Sequence, residues 1–484
     1  MSLRPGDTVR HVDFGIGRVL EVLGGQSVVN FFGDRLTVPS SALRQDHECP
    51  LEVPVRPSDT GRVLFRRAYE AINLGVVPPH PDQLLKLSIG SERLVPQIAE
   101  WLDNAPKKGL CKVVFGDYGS GKSHHLRVVE AAALNAGWVV SFVEFDPKQA
   151  DPAKPHLVYR AIMGSLRFPA RADGSRSRNF YDLVGEMRQH WDAVRTGRLF
   201  KESPWFEDAM TVLRFHSHSE EASYVDGVNW LGGQVSHHAA IGFLARQAGG
   251  RHKAPQRMPR TLETADIYVQ HLAVTNEVCK SLGYRGLLIL LDEAEHVRGF
   301  SVNRRNRANN FFDLLGRAAH QPAKGLPEPF RNEHGIDLPA FWKRGPHFGL
   351  VVALTEGTTL ADTSVDLREA CVFLHSTADI VRLEAPSPRD YESWCAEFFA
   401  DFEAAYPEKS SCLRGLGSRR RLASELAAAY SKQPAAERTL RTWVKAGSLV
   451  PSLLLAHQFS SIEEFVALLR TIANQAAGGA LPWE

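Results

Sequence analysis

Short apolar runs alternate with helix-like stretches between residues 110 and 385, and this alternation is the main pattern of the chain. The runs lie at residues 112–115, 137–145, 286–291, 349–354 and 379–384. Each is short, rich in Val, Leu, Ile or Phe and bounded by turn residues, as is typical of buried parallel strands. Stretches with apolar residues at helical spacing lie around them. The pattern therefore predicts an α/β protein whose core is a parallel sheet.

Different patterns precede and follow this core. Residues 1–45 carry four or five short apolar runs separated by turn residues, which predicts a small antiparallel β-barrel. Residues 46–85 read as a linker and a helix. The predicted core spans residues 86–385, with a helical insertion at 167–265 because that stretch is too long for one strand connection. Residues 386–484 read as a helical lid and a tail.

Composition limits the classes of protein that the chain can belong to. It has 484 residues, enough for two to four domains, and a formal net charge of +2, so no overall field attracts it to nucleic acid. Its six cysteines form no C-x-x-C pair, which argues against a zinc site and fits a reducing compartment. Because the sequence has no long apolar run and no leader pattern, we expect a cytoplasmic protein with no membrane segment.

The strongest chemical signal lies directly after the first predicted strand. It reads Gly116-Asp117-Tyr118-Gly119-Ser120-Gly121-Lys122-Ser123, followed by His124 and a helical pattern. This is the G-x-x-x-x-G-K-[ST] pattern in its strand-to-helix setting, where backbone N–H groups surround phosphates. Lys122 is expected to contact the β- and γ-phosphates, and the Ser123 hydroxyl to coordinate Mg²⁺. The segment predicts a nucleoside triphosphate site.

Two later strands end in residues that complete such a site. The run at 286–291 leads into Asp292 and Glu293. Asp292 is the expected Mg²⁺ ligand, and Glu293 is expected to orient and polarise the attacking water. The run at 349–354 ends at Thr355, our candidate for a sensor of the γ-phosphate or the water. Acidic pairs after strands are common, so this signal gains its strength from the P-loop upstream.

Several basic residues allow more than one interpretation. Arg438 and Arg441 lie at a predicted helix start in the lid, where either could contact the nucleotide or lie on the surface. Arg298, Arg304, Arg305, Arg307 and Arg317 follow the acidic strand. One of these five could be an arginine finger, several could bind DNA phosphates, or all could form a solvated helix face.

Three segments together resemble the ATP-binding proteins of BREX-type bacteriophage-defence systems, nearest to the BrxD-like type. They read GDYGSGKSH, LLILLDEAE and RRAYEAINLGVVPP, within a likeness that spans roughly residues 60–470. The resemblance implies an AAA+-like ATPase that uses ATP and Mg²⁺ and acts on DNA or loads a partner such as a helicase. We expect it to work as a homo-oligomer. Pro5-Gly6-Asp7-Thr8 and Phe14-Gly15-Ile16-Gly17 resemble Tudor-like barrels of bacterial helicases, which contact nucleic acid or a protein partner.

Two other functional classes stay open at this point. The chain could be a nucleotide-dependent switch or scaffold that turns over ATP very slowly and recruits protein partners. It could also be a small-molecule kinase, because a P-loop alone permits phosphoryl transfer. The late acidic strand, the candidate sensor and the lid favour an ATPase over a kinase.

Overall fold

The computed structural model describes most of the chain in segments. These are residues 8–11, 15–31, 34–45, 57–78, 80–146, 148–169, 179–216, 222–248, 254–259, 264–320, 338–355, 379–409, 413, 419–433, 438–456, 464–465, 467–468 and 471. The chain divides into two compact units. One comprises residues 1–57 and 204–258, and the other residues 58–203 and 259–484.

The strands and helices are numbered along the chain. The strands are β1 (Thr8–His11), β2 (Gly15–Leu23), β3 (Gln26–Phe31), β4 (Asp34–Pro39), β5 (Arg44–Gln45), β6 (Leu110–Gly116), β7 (Val139–Glu144), β8 (Leu166–Arg167), β9 (Leu287–Asp292), β10 (Gly349–Thr355) and β11 (Asp379–Arg382). The helices are α1 (Pro57–Asn73), α2 (Pro81–Lys86), α3 (Ser91–Lys108), α4 (Lys122–Asn135), α5 (Pro155–Gly164), α6 (Phe180–Gln189), α7 (Trp191–Val194), α8 (Arg198–Glu202), α9 (Phe206–Phe215), α10 (Ala222–Leu231), α11 (His238–Gln247), α12 (Ala265–Ser281), α13 (Val302–Ala319), α14 (Pro388–Ala405), α15 (Arg419–Ser431) and α16 (Leu440–Ala456).

The N-terminal strands form an open antiparallel sheet with the order β4-β3-β2-β1-β5. Val9, Val19, Val29, Val38 and Leu43 form its small apolar cluster. The predicted barrel is not found in the described part of this segment, where β4 and β5 remain the two edges. The physical reason is that β5 contributes only two residues, which is too short a strand to close the sheet against β4.

The same unit contains three helices from the predicted insertion. Helices α9, α10 and α11 pack against one another, and Trp205, Trp230 and Phe206 are buried there. Two of the histidines in this segment bond to backbone carbonyls, His216 to that of Leu244 at 3.0 Å and His238 to that of Pro255 at 2.9 Å. These contacts give the two rings structural roles.

The second unit is built on a six-stranded sheet with the order β11-β6-β10-β9-β7-β8. The first five strands are parallel and confirm the parallel sheet predicted from the apolar runs. Strand β8 pairs antiparallel with β7 at the edge. The sequence pattern missed β8 because two residues are too few to form a recognisable apolar run.

Helices cover the sheet and bury its strands. Helices α3 and α4 share one core with alternate strand residues such as Val114, Leu288 and Leu290. Since successive strand side chains point to opposite faces, Ile289 and Leu291 lie on the other face, and α12 and α13 contact strands of the sheet. In the described ranges no helix is long and apolar enough to cross a membrane.

The N-terminal helix α1 packs with the C-terminal helices. Phe65 and Tyr69 of α1 lie in one aromatic cluster with Phe398 and Phe402 of α14. The Tyr69 hydroxyl is 2.7 Å from the Ser452 hydroxyl of α16. Residues near both ends of this unit therefore build a single helical subdomain, composed of α1, α14, α15 and α16.

Candidate functional site

The P-loop connects β6 to α4 in a conformation that requires glycine. Gly119 and Gly121 have φ angles of 78° and 94°, which favour glycine because a side chain is strained there. The Lys122 ammonium group donates to the carbonyl oxygens of Gly116 at 3.0 Å and Asp117 at 3.1 Å. These bonds hold the lysine across the loop, at the N-terminus of a 14-residue helix whose free N–H groups suit an anion.

Helix α16 lies directly on this loop. The backbone N–H of Arg441 donates to the Gly119 carbonyl at 3.2 Å. A Cβ atom at position 121 would lie 2.5 Å from Cδ2 of Leu440, so any larger residue there requires that side chain to move. The guanidinium of Arg441 also donates to the Tyr118 hydroxyl at 3.3 Å. The lid and the P-loop are thus in contact through both backbone and side chains.

The acidic strand ends in a strained residue. Asp292 closes β9 and is 3% exposed, and its carboxylate accepts the backbone N–H of Glu293 at 3.0 Å. Glu293 has φ 56° and ψ 33°, and in the described segments it alone among non-glycine residues has a positive φ. This left-handed conformation is costly for a residue with a side chain, and such strain concentrates at functional sites.

The sheet topology brings the ends of three strands to one edge. Strand β10 lies between β6 and β9, and Thr355 at its end pairs with Gly116. Glu144, the last residue of β7, pairs with Asp292. Because the carboxyl ends of parallel strands share one edge, Thr355, the P-loop and the acidic pair lie side by side.

A cavity of about 540 Å³ occupies this edge. One end is polar, with Lys122, Ser123, Asp292, Glu293 and Thr355 in its wall. The rest is largely apolar and includes Ile72, Val76, Leu87, Ile89, Leu440 and Val444. The cavity therefore combines a polar end suited to phosphates with walls suited to a planar base.

The wall contains most of the residues singled out from the sequence. Tyr118, Gly119, Gly121, His124 and Arg441 line the cavity, in addition to the five polar residues named above. Three predicted P-loop residues are not among those that line the cavity, namely Gly116, Asp117 and Ser120. Residues 75–78, which precede α2, also line the cavity.

The two candidate lid arginines have different surroundings. Arg441 lies in the cavity wall. Arg438 donates to the carbonyl oxygens of Gln433 at 2.8 Å and Ser431 at 3.0 Å, and its guanidinium lies 5.7 Å from the ring centre of Tyr430. Arg438 therefore stabilises the end of α15, and of the two only Arg441 borders the cavity.

Two histidines begin the P-loop helix. The Nε2 atom of His124 is 2.8 Å from the Ser88 hydroxyl, and burial lowers the pKa of His124 to about 4. Burial likewise lowers the pKa of His125 to about 4, with the neighbouring His124 acting in the same direction. Both rings are therefore neutral at pH 7.

The arginines after the acidic strand make internal contacts. Arg304 forms an ion pair at 3.1 Å with Asp151, whose side chain is fully buried, and its guanidinium stacks on Phe300 at 3.6 Å. Arg317 is buried and pairs with Asp313 at 2.8 Å. Arg304 thus ties α13 to the segment that contains Asp151, whereas the Arg317 pair lies within α13. The sequence alternatives of a solvated face, a finger or DNA-phosphate contacts did not include these internal pairs.

A second cavity of about 450 Å³ shares Ser123, Asp292 and Glu293 with the first. It also contains Arg127 and Arg167, both paired with the buried carboxylate of Glu130 at 2.7 Å and 3.0 Å. Sequence reasoning missed this triad. The i, i+3 spacing of Arg127 and Glu130 on a helix was the available signal, but the contribution of Arg167 depends on the antiparallel strand β8.

Comparison with known families gives one match. Residues 66–182 and 202–325 match the family described as "BREX system ATP-binding protein BrxC/D". The matched segments amount to about half of the chain and include both the P-loop and the Asp292–Glu293 pair. The match supports placing this chain in the BREX ATP-binding family. No curated protein compared with the chain matches it.

The BREX match leaves parts of the candidate site uncovered. It begins after the N-terminal sheet and ends before β10. Thr355, Arg438 and Arg441 therefore lie outside the matched residues, so their assignments depend on the geometry of this chain alone. The Tudor-like resemblance of residues 1–45 receives no support from the BREX match.

Proposed function

We propose that this protein binds and hydrolyses ATP as part of a BREX anti-phage defence system. The observation that carries the proposal is the single cavity in which Lys122, Ser123, Asp292, Glu293 and Thr355 meet. A P-loop ATPase needs a phosphate-binding lysine, a hydroxyl and a carboxylate for the metal ion, and a base or polariser for water. The family match supports the ATP-binding part of the proposal.

The donor set of the polar end fits Mg²⁺, which prefers oxygen ligands. Ser123 and Asp292 are the residues that would hold it, and a bound ion would neutralise the charge of the phosphates. Lys122 and the first N–H groups of α4 bind the β- and γ-phosphates. The Glu293 carboxylate orients and polarises water, and Thr355 adds a hydroxyl at the same edge. Gly116, Asp117 and Ser120 serve by shaping the loop.

The contact between the lid and the P-loop offers a route from nucleotide state to a partner. Arg441 and Leu440 touch the loop that surrounds the phosphates, so binding or loss of the γ-phosphate can shift α16. Helix α16 belongs to the subdomain that also contains α1 and α14. We propose that an AAA+-like homo-oligomer uses this movement to bind DNA or to load or remodel a DNA-bound partner such as a helicase.

A second candidate function is a switch that binds ATP, turns over very little and recruits protein partners. The same direct contact between Arg441 and Gly119 favours it, because nucleotide binding alone could reposition the lid. The two functions differ in turnover and in their response to DNA.

The test measures phosphate release by the full chain with Mg²⁺, with and without DNA, while the mass in solution is followed. Lys122→Ala is the variant that should lose nucleotide binding. Turnover that DNA stimulates and that Lys122→Ala abolishes, together with ATP-dependent oligomers, supports the ATPase. Tight ATP binding with negligible turnover under all these conditions supports the switch. Failure to bind ATP contradicts both.

A further inference from the structure

The hydrogen bonds around Ser88 determine which nitrogen of His124 carries a proton. The Ser88 hydroxyl donates its single proton to the Leu84 carbonyl oxygen at 2.6 Å. It must therefore act as the acceptor in its 2.8 Å contact with Nε2 of His124. Nε2 carries the proton, and in a neutral ring Nδ1 is left with a lone pair. Ser88 thus fixes His124 as a hydrogen-bond acceptor towards any further partner.

His124 lies in the wall of the cavity, and its bond to Ser88 connects it with the apolar part of that wall. His124 follows Ser123 in the first turn of α4 and lines the cavity. Its partner Ser88 lies between Leu87 and Ile89, which are both part of the apolar wall. Through its bond to Ser88, the His124 ring therefore connects the phosphate-binding helix with the apolar wall that suits a base.

We propose that His124 reads the base of the nucleotide by accepting a hydrogen bond at Nδ1 from the exocyclic amino group of adenine. Guanine and hypoxanthine carry a carbonyl at that position, so a lone pair would face a lone pair and a buried polar group would remain unpaired. Ser88 is a positioning residue, since it acts only by holding the His124 tautomer. This proposal rests on the proposed function, because it concerns the same cavity.

The test compares dissociation constants of ATP, ITP and 2′-deoxy-ATP, each with Mg²⁺, by titration calorimetry. ITP replaces the amino group of adenine by a carbonyl, whereas 2′-deoxy-ATP removes a ribose hydroxyl and keeps the base. The proteins are the parent chain, His124→Phe and Ser88→Ala. His124→Phe keeps an aromatic ring and removes the acceptor. Thermal unfolding establishes that each variant is folded.

The parent should bind ATP about 10- to 100-fold more tightly than ITP and should bind 2′-deoxy-ATP like ATP. His124→Phe should bind ATP and ITP equally. Ser88→Ala should reduce the ratio while leaving the ITP affinity unchanged, which general loosening of the fold would not do. Equal parental affinities for ATP and ITP, or a ratio that survives in His124→Phe, overturn the proposal. Weak binding of 2′-deoxy-ATP together with tight binding of ITP also overturns the proposal, because the His124 ring would then contact the ribose hydroxyl instead of the base. If no triphosphate binds at all, the proposed function itself fails.

Discussion

Two substitutions at Glu293 separate its chemical role from its backbone strain. Glu293→Gln keeps the side-chain shape and the left-handed backbone, and it removes only the negative charge. Glu293→Gly removes the carboxylate and also the cost of the φ 56° and ψ 33° conformation. If the strain is retained for the sake of the carboxylate, the glycine variant should gain stability while it loses activity.

The expected magnitudes follow from these angles. A left-handed conformation costs a residue with a side chain about 1–2 kcal/mol, and glycine offsets part of this gain by about 0.5–1 kcal/mol through its more flexible unfolded chain. Glu293→Gly should therefore raise the free energy of unfolding by about 0.75 kcal/mol at the middle of these ranges and by at most about 1.5 kcal/mol, and Glu293→Gln should leave it nearly unchanged. Loss of a general base lowers turnover by about 10²- to 10⁴-fold, and both variants should show this loss.

The assay pairs phosphate release at saturating Mg-ATP with thermal unfolding. Because the chain has two units, the transition that ATP shifts identifies the nucleotide-binding one. ATP affinity should stay near the parental value in Glu293→Gln. Parental turnover in Glu293→Gln would refute the role of the carboxylate. A glycine variant no more stable than the glutamine variant would refute the account of the strain.

Further substitutions test the lid, the cavity wall and the core. Gly121→Ala should lower the free energy of unfolding by about 1–2 kcal/mol through the left-handed backbone alone, and further because its Cβ would meet the Leu440 side chain. Leu440→Ala should recover only the part due to that collision in a double-mutant cycle followed by thermal unfolding. Arg441→Gln should weaken ATP binding in nucleotide titrations, whereas Arg438→Gln, on a side chain bonded to its own subdomain, should not. Burial lowers the pKa of His271 to about 3 from 6.5, so below pH 6.5 the unfolded state binds the proton before the folded state does. Urea unfolding should therefore show the free energy of unfolding falling between pH 6.5 and 3, by up to about 1.4 kcal/mol per pH unit. The fall should be less steep in His271→Phe.

Local patterns in the sequence predicted the elements that hold the residues of the candidate site. The P-loop is readable because its strand, its glycines and its helix are contiguous from Cys111 to Asn135. The strand that ends in Asp292 is readable because Leu287–Asp292 is buried at every position, so no polar residue interrupts the run. Thr355 follows from the same reasoning one strand later. Each of these inferences needs only the side-chain character of neighbouring residues.

Contacts between distant residues could not be predicted in this way. The pairing of α1 with the C-terminal helices depends on aromatic residues more than 300 positions apart, such as Tyr69 and Phe402. Arg438 precedes α16 and bonds back to the end of α15, whereas Arg441 lies in the first turn of α16 beside the P-loop. The bond between Ser88 and His124 joins the turn between α2 and α3 to the first turn of α4, two segments whose sequence patterns are unrelated. In each case tertiary packing, which a single sequence does not display, decides the outcome.

The strand order has a consequence for how the chain acquires its structure during synthesis. Strand β6 is an interior strand of the sheet, yet its partners β10 and β11 come late, with Lys112 pairing with Val351 and Asp379. At a typical translation rate the ribosome adds the roughly 240 intervening residues in about 12–50 s. During this interval the apolar residues of β6 lack the two strands, β10 and β11, that pair with β6 in the folded sheet. The nascent chain is therefore expected to depend on chaperones, and truncation before β10 should yield aggregated protein rather than a smaller folded domain.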